Sequence, residues 1–255
     1  LSSSPVQEMR LLKSFFRILF AIVFWTVFVT ALWVALLGVV DPPVTWAMVV
    51  QSKEQKEFHR TSVDLEDISR SFPLAVIASE DQRFFHHFGF EWERIKKAIQ
   101  YNEAKKGKRV RGASTISQQT AKNVFLWPGR TYIRKGLELW FTLLVETLWT
   151  KERILEVYLN VAEMGKGVFG AEAAAQKCFN RPASKLSPLQ CALITATLPA
   201  PRRFNCERPS AYVSKRAQWV LRQMRNIGDQ MDPEVRERIK AKIEKESLRM
   251  KKRRR

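Results

Sequence analysis

From Ile18 to Val40 the chain runs 23 residues without a charged side chain. The hydrocarbon core of a bilayer is about 30 Å thick, and roughly 20 apolar helical residues cross it. Strongly apolar residues favour insertion by roughly 0.3 to 0.6 kcal/mol apiece, so this run folds as a spanning helix rather than in a water-soluble core. It is longer than the apolar region of a cleaved leader and passes directly into Asp41-Pro42-Pro43, so it reads as a permanent anchor. Arg10, Lys13 and Arg17 precede it. The positive-inside rule then keeps residues 1–17 in the cytoplasm and exports everything after residue 40.

The exported part has its own organisation. Residues 41–70 are mixed and polar and read as a connector with one short helix. Residues 71–228 carry helical patterns throughout and no convincing strand pattern. Ser71 opens a helix that ends at Glu80-Asp81, and Glu91 to Ala104 is amphipathic. Arg134 to Asn160 reads as a long helical region broken near Thr150. Its apolar residues fall all round the axis, as in a central core helix or one that faces lipid. Ser187-Pro188-Leu189-Gln190 is a capping-box start with proline at the first helical position. The class is mainly α. Residues 229–255 read as a basic tail, with eleven Lys and Arg among the last twenty positions of a chain whose net charge is +19. An exported, anchored protein does not meet nucleic acid, so anionic lipid headgroups and a pyrophosphate substrate are the partners this charge suits. Cys178, Cys191 and Cys206 lack metal-ligand spacing. Export permits one bridge, with Cys178–Cys206 a candidate, and Cys191 fits a small core residue.

The chemistry concentrates in two patches. Arg111 to Asn123 reads RGASTISQQTAKN: three hydroxyls (Ser114, Thr115, Ser117), two amides (Gln118, Gln119) and Lys122. Such a cluster suits a polyoxygenated ligand such as a sugar, with the lysine available for phosphate. About thirty residues upstream lies Glu80-Asp81-Gln82-Arg83-Phe84-Phe85-His86-His87-Phe88-Gly89. Together the patches resemble the first two motifs of the peptidoglycan glycosyltransferase family, which comprises the polymerase domain of class A penicillin-binding proteins and its monofunctional relatives. The first motif, E-D-x-x-F-x-x-H-x-G, is met by Glu80, Asp81, Phe84, His87 and Gly89. The second is met from Gly112 to Asn123. A third falls at Arg134, Lys135 and Glu138, and a fourth runs from Lys151 through Tyr158 and Asn160 to Gly165. A fifth runs from Ala192 to Pro201. Glu91 stands where many members carry Asp and keeps the charge.

The resemblance implies a lysozyme-like domain whose two lobes flank a cleft, behind a single transmembrane helix in the bacterial inner membrane and facing the periplasm. It implies polymerisation of lipid II, the undecaprenyl-pyrophosphate-linked disaccharide-pentapeptide, into β-1,4 glycan by a single inverting displacement. Glu80 is expected to be the base, flanked by Phe84 and Phe85 as desolvating rings. Glu138 is the second carboxylate, paired with Arg134 one turn earlier. Lys122 and Arg130 are expected to hold the pyrophosphate, with Arg83, Arg134 and Lys135 next to them. Ser114, Thr115, Gln118 and Gln119 are expected to line the cleft against sugar or phosphate, whereas His87, Gly89 and Asn160 are structural, Asn160 fixing the fourth motif's turn. Val124 to Gly129, an apolar turn between cations, is expected to dip into the membrane. No cofactor is required. A divalent cation (Mg or Mn) assisting the pyrophosphate is compatible with the family, though no dedicated metal site is visible in the sequence. Expected partners are lipid II, the growing strand, membrane lipid and other cell-wall synthesis proteins, with no nucleic acid. Two rivals share parts of this pattern: a lysozyme-like hydrolase, which needs neither the cation cluster nor an anchor, and a non-catalytic scaffold, which needs neither Glu80 nor Glu138.

Overall fold

The computed structural model describes residues 5–54, 59–104, 112–129 and 131–253, and resolves two compact units, Leu1–Val40 and Asp41–Arg255. The first unit is helix α1 (Pro5–Leu37), whose segment Leu12–Leu37 is long and apolar enough to cross a membrane. Thr26 and Thr30 turn their hydroxyls back onto the carbonyls of Ile22 and Thr26, so these two donors are satisfied within the helix.

The second unit is mainly helical. After α2 (Trp46–Glu54) come α3 (Ser71–Glu80), α4 (Trp92–Ala104), α5 (Ile116–Phe125), α6 (Tyr132–Leu148) and α7 (Lys151–Val161). Then follow α8 (Ala171–Phe179), α9 (Pro188–Thr197), α10 (Ala211–Ile227) and α11 (Pro233–Arg253). Hydroxyl caps set most of the starts. Thr115, Thr131, Thr150, Ser187 and Ser210 each accept the N–H three residues on. The sequence break near Thr150 is real: α6 stops at Leu148, and Thr150 caps α7. The capping boxes Thr115/Gln118 and Ser187/Gln190 are both closed.

Three short strands escaped the sequence pattern. β1 (His59–Arg60), β2 (Glu163–Gly165) and β3 (Val168–Phe169) form a sheet in the order β1-β3-β2. β1 runs parallel to β3, with His59 opposite Val168, and β2 runs antiparallel with an irregular register between Glu163 and Gly165. At two or three residues each, they are too short for apolar alternation to register. The region 229–255, expected as a tail, contains helix α11, which starts where the Asp232 side chain accepts the Glu234 N–H and Pro233 takes the first helical position.

The helices pack in two groups. α3, α9 and α10 form one, and α5, α6 and α7 the other. Cys178 and Cys206 are joined in a disulfide that ties the end of α8 to the loop before α10. Cys191 is free and buried in α9, and burial pushes its thiol up to about 12.

Candidate functional site

The first motif is fastened to the second by a buried carboxylate. Asp81, fully buried, accepts the backbone N–H of Ile116 at 3.1 Å and the Nε2 of His87 at 3.0 Å. Thr115 donates its hydroxyl to the Gly89 carbonyl at 2.7 Å. Gly89 has φ +72°, and a Cβ there would stand 2.8 Å from Thr142 Cγ2 on α6, so the position requires glycine on both counts. His87 and Gly89 therefore hold the loop against α5 and α6. Asn160 bonds both the N–H and the carbonyl of Val63, at 3.1 and 2.8 Å. It clamps the connector to α7 instead of fixing the turn after that helix.

That fastening places Glu80, the last residue of α3, between the two helix groups. Its Oε2 accepts from Gln119 Nε2 on α5 at 3.1 Å, and its Oε1 accepts from Ser79 Oγ at 3.1 Å. Arg216, on α10, lies 3.7 Å from Oε1 and donates to Ser79 Oγ at 3.0 Å. The other end of the Gln119 amide accepts from the Tyr158 hydroxyl on α7 at 3.4 Å. Burial, with Glu80 nearby, pushes the Tyr158 phenol well above its ordinary value, so it remains a donor. The rings of Phe84 and Phe85 are turned to other partners, Lys151 lying over the first and Arg236 over the second. Gln119 and Ser79 fix the Glu80 carboxylate. A cavity of about 300 Å³ opens beside it, lined by Arg83, Glu91, Arg94 and Trp219 among others but by neither Phe84 nor Phe85. Arg83 faces Glu91 there at 3.8 Å. A larger cavity, about 890 Å³, lies between the Phe85–Phe88 segment and α11 and includes neither Glu80 nor Glu138.

Glu138 is 4% exposed, on the inner face of α6. Lys135 Nζ bonds it at 2.5 Å, and Arg134, at 3.9 Å, is the second partner. Lys122 lies within electrostatic reach of both carboxylates. Burial lowers its ammonium below the ordinary lysine value, Glu138 opposes that shift most strongly, and Glu80 adds to the opposition. Among the described residues Lys122 makes no ion pair within 4 Å. It is a partly desolvated cation facing two carboxylates. The polar cluster of the second motif divides in two. Thr115 and Gln118 are buried and saturated by each other in the cap, while Ser114 is exposed and Gln119 reaches Glu80. Arg130 lies outside the described residues.

The apolar turn also divides. Phe125 and Leu126 are buried, Phe125 stacking on Phe141 with ring centroids 4.6 Å apart, because these two residues close α5 onto α6. They belong to the core and do not dip. Trp127 remains exposed, together with Tyr132, Ile133, Leu139 and Leu143 of α6. The same helix turns Glu138, Thr142 and Glu146 inward at a four-residue spacing. Its buried face mixes these polar groups with Phe141 and Val145, while several large apolar residues stay outside, where a soluble amphipathic helix would carry polar ones.

Sequence reasoning missed Tyr158, Arg216 and Glu146 as parts of the assembly. Glu146 accepts from the Ser117 hydroxyl and from Lys151 at 2.7 Å. A second carboxylate inside the apolar stretch of α6 was the available signal, since a buried Glu must find a cation or donor. Among the described residues no group of three or more His, Cys, Asp or Glu side chains is placed to hold a metal ion.

The transglycosylase family profile matches residues 47–225. A biosynthetic peptidoglycan transglycosylase of Xanthomonas campestris pv. campestris is 48% identical over 206 residues, covering 78% of this chain and 83% of the relative. One from Pseudomonas entomophila is 53% identical over 194 residues, covering 73% and 81%. One from Shewanella oneidensis is 46% identical over 226 residues, covering 87% and 96%. A match over most of the folded unit, with the first two motifs bonded to each other around Glu80, makes this chain a member of the transglycosylase family and a peptidoglycan glycosyltransferase.

Proposed function

We propose that the enzyme polymerises lipid II into β-1,4 glycan, with Glu80 as general base and Lys122 at the leaving pyrophosphate. The observation that carries this reading is a carboxylate fixed by donors from both helix groups, with a half-buried lysine inside its field that makes no ion pair among the described residues. Glu80 takes the proton from the acceptor sugar's 4-hydroxyl as that oxygen bonds the donor's anomeric carbon. The anomeric carbon–oxygen bond breaks, and the pyrophosphate leaves with the electron pair, stabilised by Lys122 and Arg130. An α-linked donor gives a β-linked product in one inverting displacement, so no glycosyl-enzyme forms. Glu138 orients Lys135 and Arg134 on the same side. No step is routed through a divalent cation, and among the described residues Glu138 is bonded by Lys135 and faced by Arg134.

The protein with its catalytic unit on the outer face of the bacterial inner membrane would meet a substrate whose lipid tail stays in the bilayer. The outward apolar residues of α6 fit that task. Replacing Tyr132, Ile133 and Leu139 with serine, in the unit from Asp41 onward expressed without α1, should weaken partitioning to lipid vesicles by at least about tenfold. Unchanged partitioning in a flotation assay would leave these residues without a membrane role.

The Tyr158–Gln119–Glu80 chain makes a finer prediction. Tyr158→Phe removes only the hydroxyl that holds the Gln119 amide. Losing one such bond should lower kcat roughly 2- to 10-fold. KM for the lipid-linked donor should stay put, because no donor contact is removed. A raised KM with unchanged kcat would show that Tyr158 supports substrate binding and not the base.

The hydrolase rival is separated by product. The purified protein given preformed glycan should release no soluble fragments, and given labelled lipid II it should build polymer. Fragment release without polymer would assign the site to hydrolysis.

A further inference from the structure

Helix α11 lies beyond residues 47–225 that the family accounts for. It spans 21 residues, about 31 Å at 1.5 Å per residue. One face meets the catalytic unit. Arg236 there bonds Glu152 and lies 4.4 Å from the Phe85 ring centroid, and Glu237, Lys240 and Glu244 line the cavity between them. Arg238, Lys242 and Lys245 are all exposed. Their spacing is i, i+4, i+7, and the sequence repeats it at Arg249 and Lys252. At about 100° per residue these five positions share an arc roughly 80° wide on the helical wheel, and the described members Arg238, Lys242 and Lys245 are outside the cavity lining. Glu234, one turn before Arg238 and paired with it at 3.4 Å, is an acid within the same arc.

A merely solvated helix interleaves opposite charges at i, i+4, and like charges at that spacing destabilise it. Here the cavity side carries both signs, Arg236 and Lys240 with Glu237 and Glu244, whereas Arg238, Lys242 and Lys245 are exposed and meet one acid, Glu234, among the described residues. The segment from Arg236 to Arg255 holds eleven Lys and Arg against three Glu. Such a stripe gains from an extended anionic surface. α1, long enough to cross a bilayer, keeps the chain at a lipid surface. α11 has no aromatic residue on which a nucleobase could stack. Val235, Ile239 and Ile243 are half-buried, Ile243 lining the cavity and Val235 lying beside Gly228, so the apolar row seats α11 on the catalytic unit and leaves the cations outside.

We propose that α11 is a docking helix for anionic lipid headgroups. The inference rests on the charge pattern and is independent of which residues perform the glycosyl transfer. The test uses the full chain in nanodiscs of phosphatidylcholine alone or with about 30 mol% phosphatidylglycerol, read by hydrogen exchange of the backbone amides of residues 238–252. Exchange should slow at least about threefold with phosphatidylglycerol, and the difference should vanish near 0.5 M NaCl, where the screening length is about 4 Å. Arg238, Lys242, Lys245, Arg249 and Lys252 changed together to Gln, a good helix former, should abolish the difference while exchange in phosphatidylcholine stays at the parent's rate. If that variant already exchanges fast in phosphatidylcholine, the salt arm on the parent decides. Equal exchange of the parent in the two lipids overturns the proposal. Stronger protection by RNA than by phosphatidylglycerol at equal phosphate overturns it in favour of a nucleic-acid surface.

Discussion

Glu80→Gln should abolish glycan polymerisation while leaving the protein folded. The amide keeps the volume and can still accept from Ser79 and lie beside Gln119, but it cannot take a proton from the acceptor hydroxyl. A positioned general base contributes typically ~10² to 10⁴-fold to rate. The loss should appear in kcat, with the melting temperature within a few degrees of the parent. Turnover near the parent's rate would remove Glu80 from the role of base, whatever its position between the helix groups.

The largest stability effect is expected one residue later, at Asp81→Ala. The Asp81 carboxylate is fully buried and accepts from both Ile116 N–H and His87 Nε2. Alanine strands a backbone donor at the start of α5 and leaves the His87 ring without its partner. A buried group left unsatisfied costs about 1–3 kcal/mol, and a bond to a charged group is worth about 1.5–3. A loss of about 3 kcal/mol should lower Tm by roughly 6–12 °C in a unit of this size. A shift under about 2 °C by calorimetry would mean that the two motifs are joined by other contacts. Activity should fall with stability, because the same contact sets the register between Glu80 on α3 and Gln119 on α5.

The two predictions rest on adjacent residues that the sequence presented very differently. The motifs singled out Glu80 and Lys122, and the break near Thr150 and the capping-box start at Ser187 were legible because they are local. The pairing of Glu138 with Arg134 followed from one helical turn, although Lys135 proved the closer partner. What stayed hidden depends on contacts distant in sequence. Arg216 reaches Ser79 across 137 positions, and Tyr158 reaches Gln119 across 39. Neither follows from any spacing rule. Phe125 and Leu126 read as an exposed apolar turn because their cover, Phe141, comes from the next helix. The outward apolar residues of α6 were visible only as a helix apolar all round, since which side faces the core is decided by where Glu138 and Glu146 find their cations.

The central claim is that this site joins lipid-linked disaccharides and does not cut them. The most direct measurement incubates the purified full chain in detergent with labelled lipid II and separates the products by gel. The account predicts a ladder of glycan polymer from the parent protein and none from Glu80→Gln, with undecaprenyl pyrophosphate released in step with chain growth. Release of free disaccharide without polymer, or an equal ladder from both proteins, would contradict it.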